Sequence, residues 1–167
     1  MSNQRLQGSR AGIVIRLLAS CYDITILFGI CFLAFVPLTM LEQSTGAAPN
    51  WLKGLLLLAI AYGYFVGFWF KGGATTGMRP WKLKVAMNGT GDPLSLAAAS
   101  IRFAGLMLTW LTLGMTLWYI ASKDTGHFLF FLASIIPASS LLVMLLSRER
   151  TALQDIISGT GIFKVSR

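Results

Sequence analysis

The 167-residue chain is 55% hydrophobic and only 12% charged, with a mean hydropathy of +0.69, a balance that suits a bilayer and excludes an ordinary soluble core. Its net charge of +8 is not gathered into a basic stripe interleaved with stacking aromatics, which argues against nucleic acid as a partner. The cations sort instead by segment, and that sorting carries topological information.

Met1–Arg10 is polar and lacks periodicity, and is expected to form a short flexible tail. The first helix is predicted over about residues 11–41, with Pro37 near its outer end bending it. A signal peptide is the alternative reading, but the apolar run is too long for an h-region and contains Arg16 and Asp23, so a retained membrane helix is expected. Cys21 and Cys31, in the same segment, have no ligand spacing and read as packing residues. On a helix, Arg16 and Asp23 share a face to within about 20° but stand about 10 Å apart along the axis. Side chains lean toward the N-terminus, so Asp23 leans toward Arg16 while Arg16 leans away, and each is expected to find its partner elsewhere. Snorkelling to the interface explains Arg16 at least as well as a functional role does. Asp23 lies deeper on too short a stem to snorkel; its bland reading is a protonated or water-solvated carboxyl.

Ser44–Asn50, with Gly46 and Pro49, reads as an external turn, and Trp51 as an interfacial anchor for a second span over residues 52–70. In that span Ala59, Gly63 and Gly67 recur every fourth residue, a pattern that lets helices approach closely in lipid; packing within the bundle is preferred to a dimer seam. Tyr62, Tyr64, Phe68 and Trp69 are expected mostly at lipid or at the interface.

Residues 71–95 form the one sizeable polar stretch. The run from Gly72 to Gly77 lacks the Gly-Lys-Ser/Thr ending of a phosphate loop and is expected to be a flexible turn. Trp81–Met87 alternates apolar and basic residues before the turn pair Asn88-Gly89, which predicts a short β-hairpin-like segment whose basic face suits anionic headgroups. Ser95 reads as the N-cap of a third helix, with a span over residues 99–122 that opens on Arg102. Thr109, Thr112 and Thr116 are expected to bond carbonyls of their own helix. Lys123–His127 reads as a short outer turn in which His127 is solvated rather than a metal ligand.

A fourth span is predicted over residues 128–147, kinked at Pro137. In residues 148–167, Thr151–Thr160 reads as a short amphipathic helical turn ended by Gly159, and Gly161–Val165 as a strand. Asp155 is then positioned to reach back to Arg16 or Arg102. Arg5, Arg10, Arg16, Lys71, Arg79, Lys82, Lys84, Arg102, Arg148, Arg150, Lys164 and Arg167 all fall on three segments, so both termini and residues 71–95 are expected in the cytoplasm. The resulting fold class is an all-α membrane protein: one domain over 1–167 with four transmembrane helices, cytoplasmic termini and a small cytoplasmic hairpin.

Three elements give the chain its likeness to known proteins. These are Arg16-x-x-Ala19-x-x-x-Asp23; the loop Gly73-Ala74-Thr75-Thr76-Gly77-Met78-Arg79 running into Leu83-Lys84-Val85, Asn88-Gly89, Leu94-Ser95 and Arg102; and Thr151-x-x-x-Asp155-x-x-x-Gly159-Thr160. With these the chain resembles the RDD family of small membrane proteins, named for one arginine and two aspartates. The resemblance implies Arg16 as the named arginine, Asp23 and Asp155 as the aspartates, and Arg102 as a frequent companion. Gln154 departs from the histidine that many relatives carry before the last aspartate, which weakens a proton role there. For the family, transport is the usual suggestion, ion exchange is proposed for some members, and others are accessory subunits of membrane complexes.

Two functions follow as expectations. In one, the protein is a proton-coupled or cation transporter of the bacterial-type inner membrane using Asp23, with Arg16 or Arg102 tuning its proton affinity. Four helices provide little wall for a pathway, so this reading calls for a homo-oligomer. In the other, Arg16, Asp23, Arg102 and Asp155 form a satisfied cluster that fixes which helices are neighbours, in an accessory subunit of a larger membrane complex. No catalytic set, metal cluster or cofactor loop is visible, so no enzyme, metal or cofactor is expected.

Overall fold

A computed structural model describes residues 8–123, 128–146 and 151–165. Helix α1 (Ile13–Thr45) runs through Pro37 and stops at Gly46, whose φ of +92° is open to glycine at little cost. Helix α2 (Asn50–Gly72) begins after Pro49 and ends on Gly73, left-handed at φ +66°, whose N–H donates to Trp69 O at 3.0 Å. Helix α3 (Leu96–Ala121) starts where predicted: Ser95 Oγ accepts from Ala98 N–H at 3.2 Å. Helix α4 (Phe128–Leu146) contains Pro137, and the short α5 (Leu153–Ile157) precedes Gly159 at φ +63°. The hydroxyls of Thr109, Thr112 and Thr116 do donate to carbonyls one turn back.

Among the described residues α1, α2 and α3 are long and apolar enough to cross a membrane; α4, with 19 residues, is also apolar. The most apolar stretch of α1 has 0% of its residues buried in the protein, so its side chains require an apolar solvent. Cys21, expected as a packing residue, is exposed on this helix, and Cys31 is half-buried. Between α1 and α2, Glu42 accepts from Ala48 N–H at 2.8 Å and pairs with Lys53 at 2.9 Å.

The expected hairpin between the second and third helices is not what forms. Strand β2 (Leu83–Met87) is present, but it pairs with the distant β3 (Thr160–Val165), and β1 (Gly8–Arg10) pairs with the other edge of β3. Both pairings are antiparallel, with Val85 opposite Ile162 and Ser9 opposite Lys164. The local return limb fails because Asp92-Pro93 interrupts it, whereas β3 offers an unbroken partner. Part of the expected N-terminal tail is thus a strand. Three segments far apart in sequence meet in one small sheet.

The packing face of α2 also differs from the expected one, although Tyr62 is exposed as expected. Tyr64, Phe65 and Trp69 are buried, while Ala59 and Gly63 are exposed and an added Cβ at Gly63 or Gly67 would meet nothing within 4 Å. The aromatic side turns inward because it supplies a hydroxyl and a ring face to charged groups, as described below. The buried core, including Val66, Leu83, Val85, Ala99, Phe103 and Ile162, lies at the sheet end of the helices. His127, Arg148 and Arg150 fall outside the described residues.

Candidate functional site

Arg16, Asp23, Arg102 and Asp155 are all buried at the junction between the helices and the sheet. Asp155 is the central member. It sits at the third position of α5, and its Oδ2 accepts from the N-cap N–H of Ala152 at 3.0 Å, half of a capping box. The same oxygen accepts from Arg16 Nη2, and Arg102 Nη1 lies 2.6 Å from Oδ1 as an ion pair outside hydrogen-bond angles. Burial alone would raise the Asp155 pKa, but the two guanidiniums and the Ala152 N–H outweigh it and hold the carboxyl below its usual range.

Arg102 is fixed on its other sides by residues that sequence reasoning missed. Its Nη1 donates to Thr160 Oγ1 at 2.6 Å, and its guanidinium stands 5.1 Å from the centre of the Trp69 ring. Thr160 is itself held 2.7 Å from Ser158 Oγ. The helix α3 approaches α5 closely enough that a Cβ at Gly105 would lie 3.1 Å from Gln154 Cβ.

Asp23 takes different partners. Its Oδ1 accepts from Tyr64 OH at 2.6 Å and from Gly77 N–H at 2.8 Å, and Oδ2 accepts from Thr75 Oγ1 at 2.5 Å. All three donors are neutral, and Thr75 is completely buried. Neutral donors thus hold Asp23 where tuning by Arg16 or Arg102 was expected, while the expected contact of Asp155 with Arg16 is present. The loop Gly73–Gly77 is therefore a fitted carboxylate seat rather than a loose turn. A Cβ at Gly77 would lie 2.4 Å from Ala19 O and 2.7 Å from Asp23 Cγ, so only glycine fits where the loop meets α1. The available signal was a hydroxyl and a glycine N–H directly after the second span, level with an unpaired acid on the first.

On the helical side of this cluster lies a cavity of about 360 Å³. Arg16, Asp23, Arg102 and Gln154 border it, and its walls are Leu17 and Ile24 of α1, Phe65 and Trp69 of α2, and Leu106, Trp110 and Leu113 of α3. Helix α1 packs on α2 but barely touches α3 or α4, so the cavity follows the gap between them. Ala59, Gly63 and Gly67 take no part in this site.

The family model that describes the RDD family matches residues 10–159. No curated protein and no solved structure is similar enough to match.

Proposed function

The chain belongs to the RDD family, and from its buried charges we propose that it is a four-span inner-membrane protein acting as a non-transporting accessory subunit of a larger membrane complex. One observation carries the accessory reading: each carboxylate of the cluster is already occupied, Asp155 by two arginines and Asp23 by three neutral donors. Carboxylates engaged in this way by the chain itself serve to fix helix neighbours. The sheet supports the topology. Its strands precede α1, separate α2 from α3 and follow α5, so all three segments share one side and α4 becomes the returning fourth span. That side is the cytoplasm by its cations; Lys71, Arg79, Lys82 and Lys84 are exposed there and suit anionic headgroups.

Transport remains the second reading, favoured by Asp23 bordering the cavity. Flux into proteoliposomes decides between them. The accessory reading expects no flux from the wild type over a range of monovalent and divalent cations, and loss of folding or of a co-purifying membrane complex in Asp23→Asn. Cation or proton flux by the wild type that Asp23→Asn abolishes, with the fold intact, would establish transport instead.

A further inference from the structure

The cavity beside the charge cluster carries unused hydrogen-bonding groups. At about 360 Å³ it falls within the roughly 300–1,000 Å³ of small-molecule sites. Phe65, Leu106, Trp110 and Leu113 give it apolar walls, and its exposed lining residues Leu17, Ile24 and Trp110 belong to helices of membrane-spanning length, so it is entered from hydrocarbon. Trp69 and Arg102, also lining residues, are only 3% and 2% exposed, yet Trp69 Nε1–H and Arg102 Nε–H donate to nothing among the described residues. Gln154 Oε1, on a third lining residue, is buried and accepts from nothing among them. Buried polar atoms call for partners. Asp155 Oδ1 is already ion-paired with Arg102 and belongs to a residue that does not line the cavity. The three lining residues gather about Arg102: the Trp69 ring lies 5.1 Å from its guanidinium, and Gln154 precedes Asp155 and stands against Gly105, about one turn along α3.

Two donors and one acceptor are the complement of a hydroxyl, which offers two lone pairs and one O–H. A ketone meets the two donors only, and a carboxylate has no proton to give Gln154. Charge agrees. Arg16 and Arg102 are matched by Asp23 and Asp155, so an ionised ligand would bring a charge with no counter-ion into buried surroundings. We propose that this cavity binds a neutral lipophilic alcohol, whose hydroxyl accepts from Trp69 and Arg102 and donates to Gln154 while its hydrocarbon body lies against Phe65, Trp110 and Leu113. The site is independent of the accessory role.

The test uses four probes with one ring skeleton and different polar groups: menthol, menthone, menthane and menthanecarboxylate. Affinity is read as thermal stabilisation of the full chain in detergent, titrated by mole fraction of probe in the micelle. Menthol is expected to bind several-fold more tightly than menthane or menthanecarboxylate, with menthone between. Trp69→Phe, which keeps a ring but drops the N–H, is expected to weaken menthol several-fold and leave menthane unchanged; Gln154→Met is expected to bring menthol down to menthone and leave menthone unchanged. Thr109→Phe and Leu113→Trp fill the cavity and are expected to abolish stabilisation by every probe. Each variant is first required to elute as the wild type does, and the wild-type series stands without them. Equal affinity for menthol and menthane would overturn recognition of the hydroxyl, and tighter binding of menthanecarboxylate would overturn the neutral class. Stabilisation that survives both filling variants, or none by any probe, would overturn the site.

Discussion

Asp155 binds two arginines with one carboxylate, and its own replacement therefore strands two buried cations at once. Asp155→Asn is expected to destabilise the fold by about 3–5 kcal/mol, read as thermal unfolding in detergent. The pH dependence follows from its lowered pKa. Because the folded value lies below the unfolded one, its stabilisation is complete above the ordinary carboxylate range near about pH 4 and is lost as pH falls through the folded value. Asp155→Asn should flatten that acid slope; equal slopes in both proteins would remove Asp155 as its source. Glycines rank by the space around them. Gly77→Ala, facing a backbone oxygen at 2.4 Å, is expected to unseat Asp23 and cost more than about 3 kcal/mol, while Gly105→Ala, facing Gln154 at 3.1 Å, falls within about 1–3 kcal/mol. The reverse ranking would show that the Gly73–Gly77 loop yields easily.

Helix α2 is where sequence and structure part most clearly. The four charged residues are legible because ionisable groups in apolar segments are rare and must be compensated. Ser95 is legible as a cap because capping is local, and Asp155 is legible as a partner of Arg16 because it is the acid of a short segment next to the bundle. The orientation of α2 is not local: it depends on which side meets Asp23 and Arg102, and small residues signal a close approach without saying to what. Here the demand for a donor and a ring outweighs the small-residue pattern, so Tyr64 and Trp69 turn inward. The partner of β2 is equally hidden, since a strand that bonds across most of the chain leaves no local trace. Tyr64→Phe and Thr75→Val are each expected to lower stability by about 1–3 kcal/mol by leaving Asp23 short of a donor. Gly63→Ala, on the outward face, should stay within about 0.5 kcal/mol unless a second chain docks there. Denaturation of the three variants side by side tests the orientation of the helix.

At the scale of the whole molecule, β3 joins what the helices hold apart. It bonds β1 and β2 on its two edges, and its neighbour α5 carries Asp155 to the arginines of α1 and α3. Truncation after Ser158 is expected to leave the helices membrane-inserted but free the backbone at the already exposed Lys82 and Lys84 for cleavage by trypsin; unchanged protection would mean that β2 holds its place without β3. The central position of β3 has a consequence for biosynthesis. The ribosome makes β1 and β2 long before the strand that lies between them, and it makes Arg16 and Arg102 before Asp155. Until residues 151–165 emerge, the nascent protein holds Arg16 and Arg102 without Asp155, and β1 and β2 without the strand that joins them. Emergence of β3 is thus the event that closes the structure, and a product stopped before it carries its own mark of being unfinished.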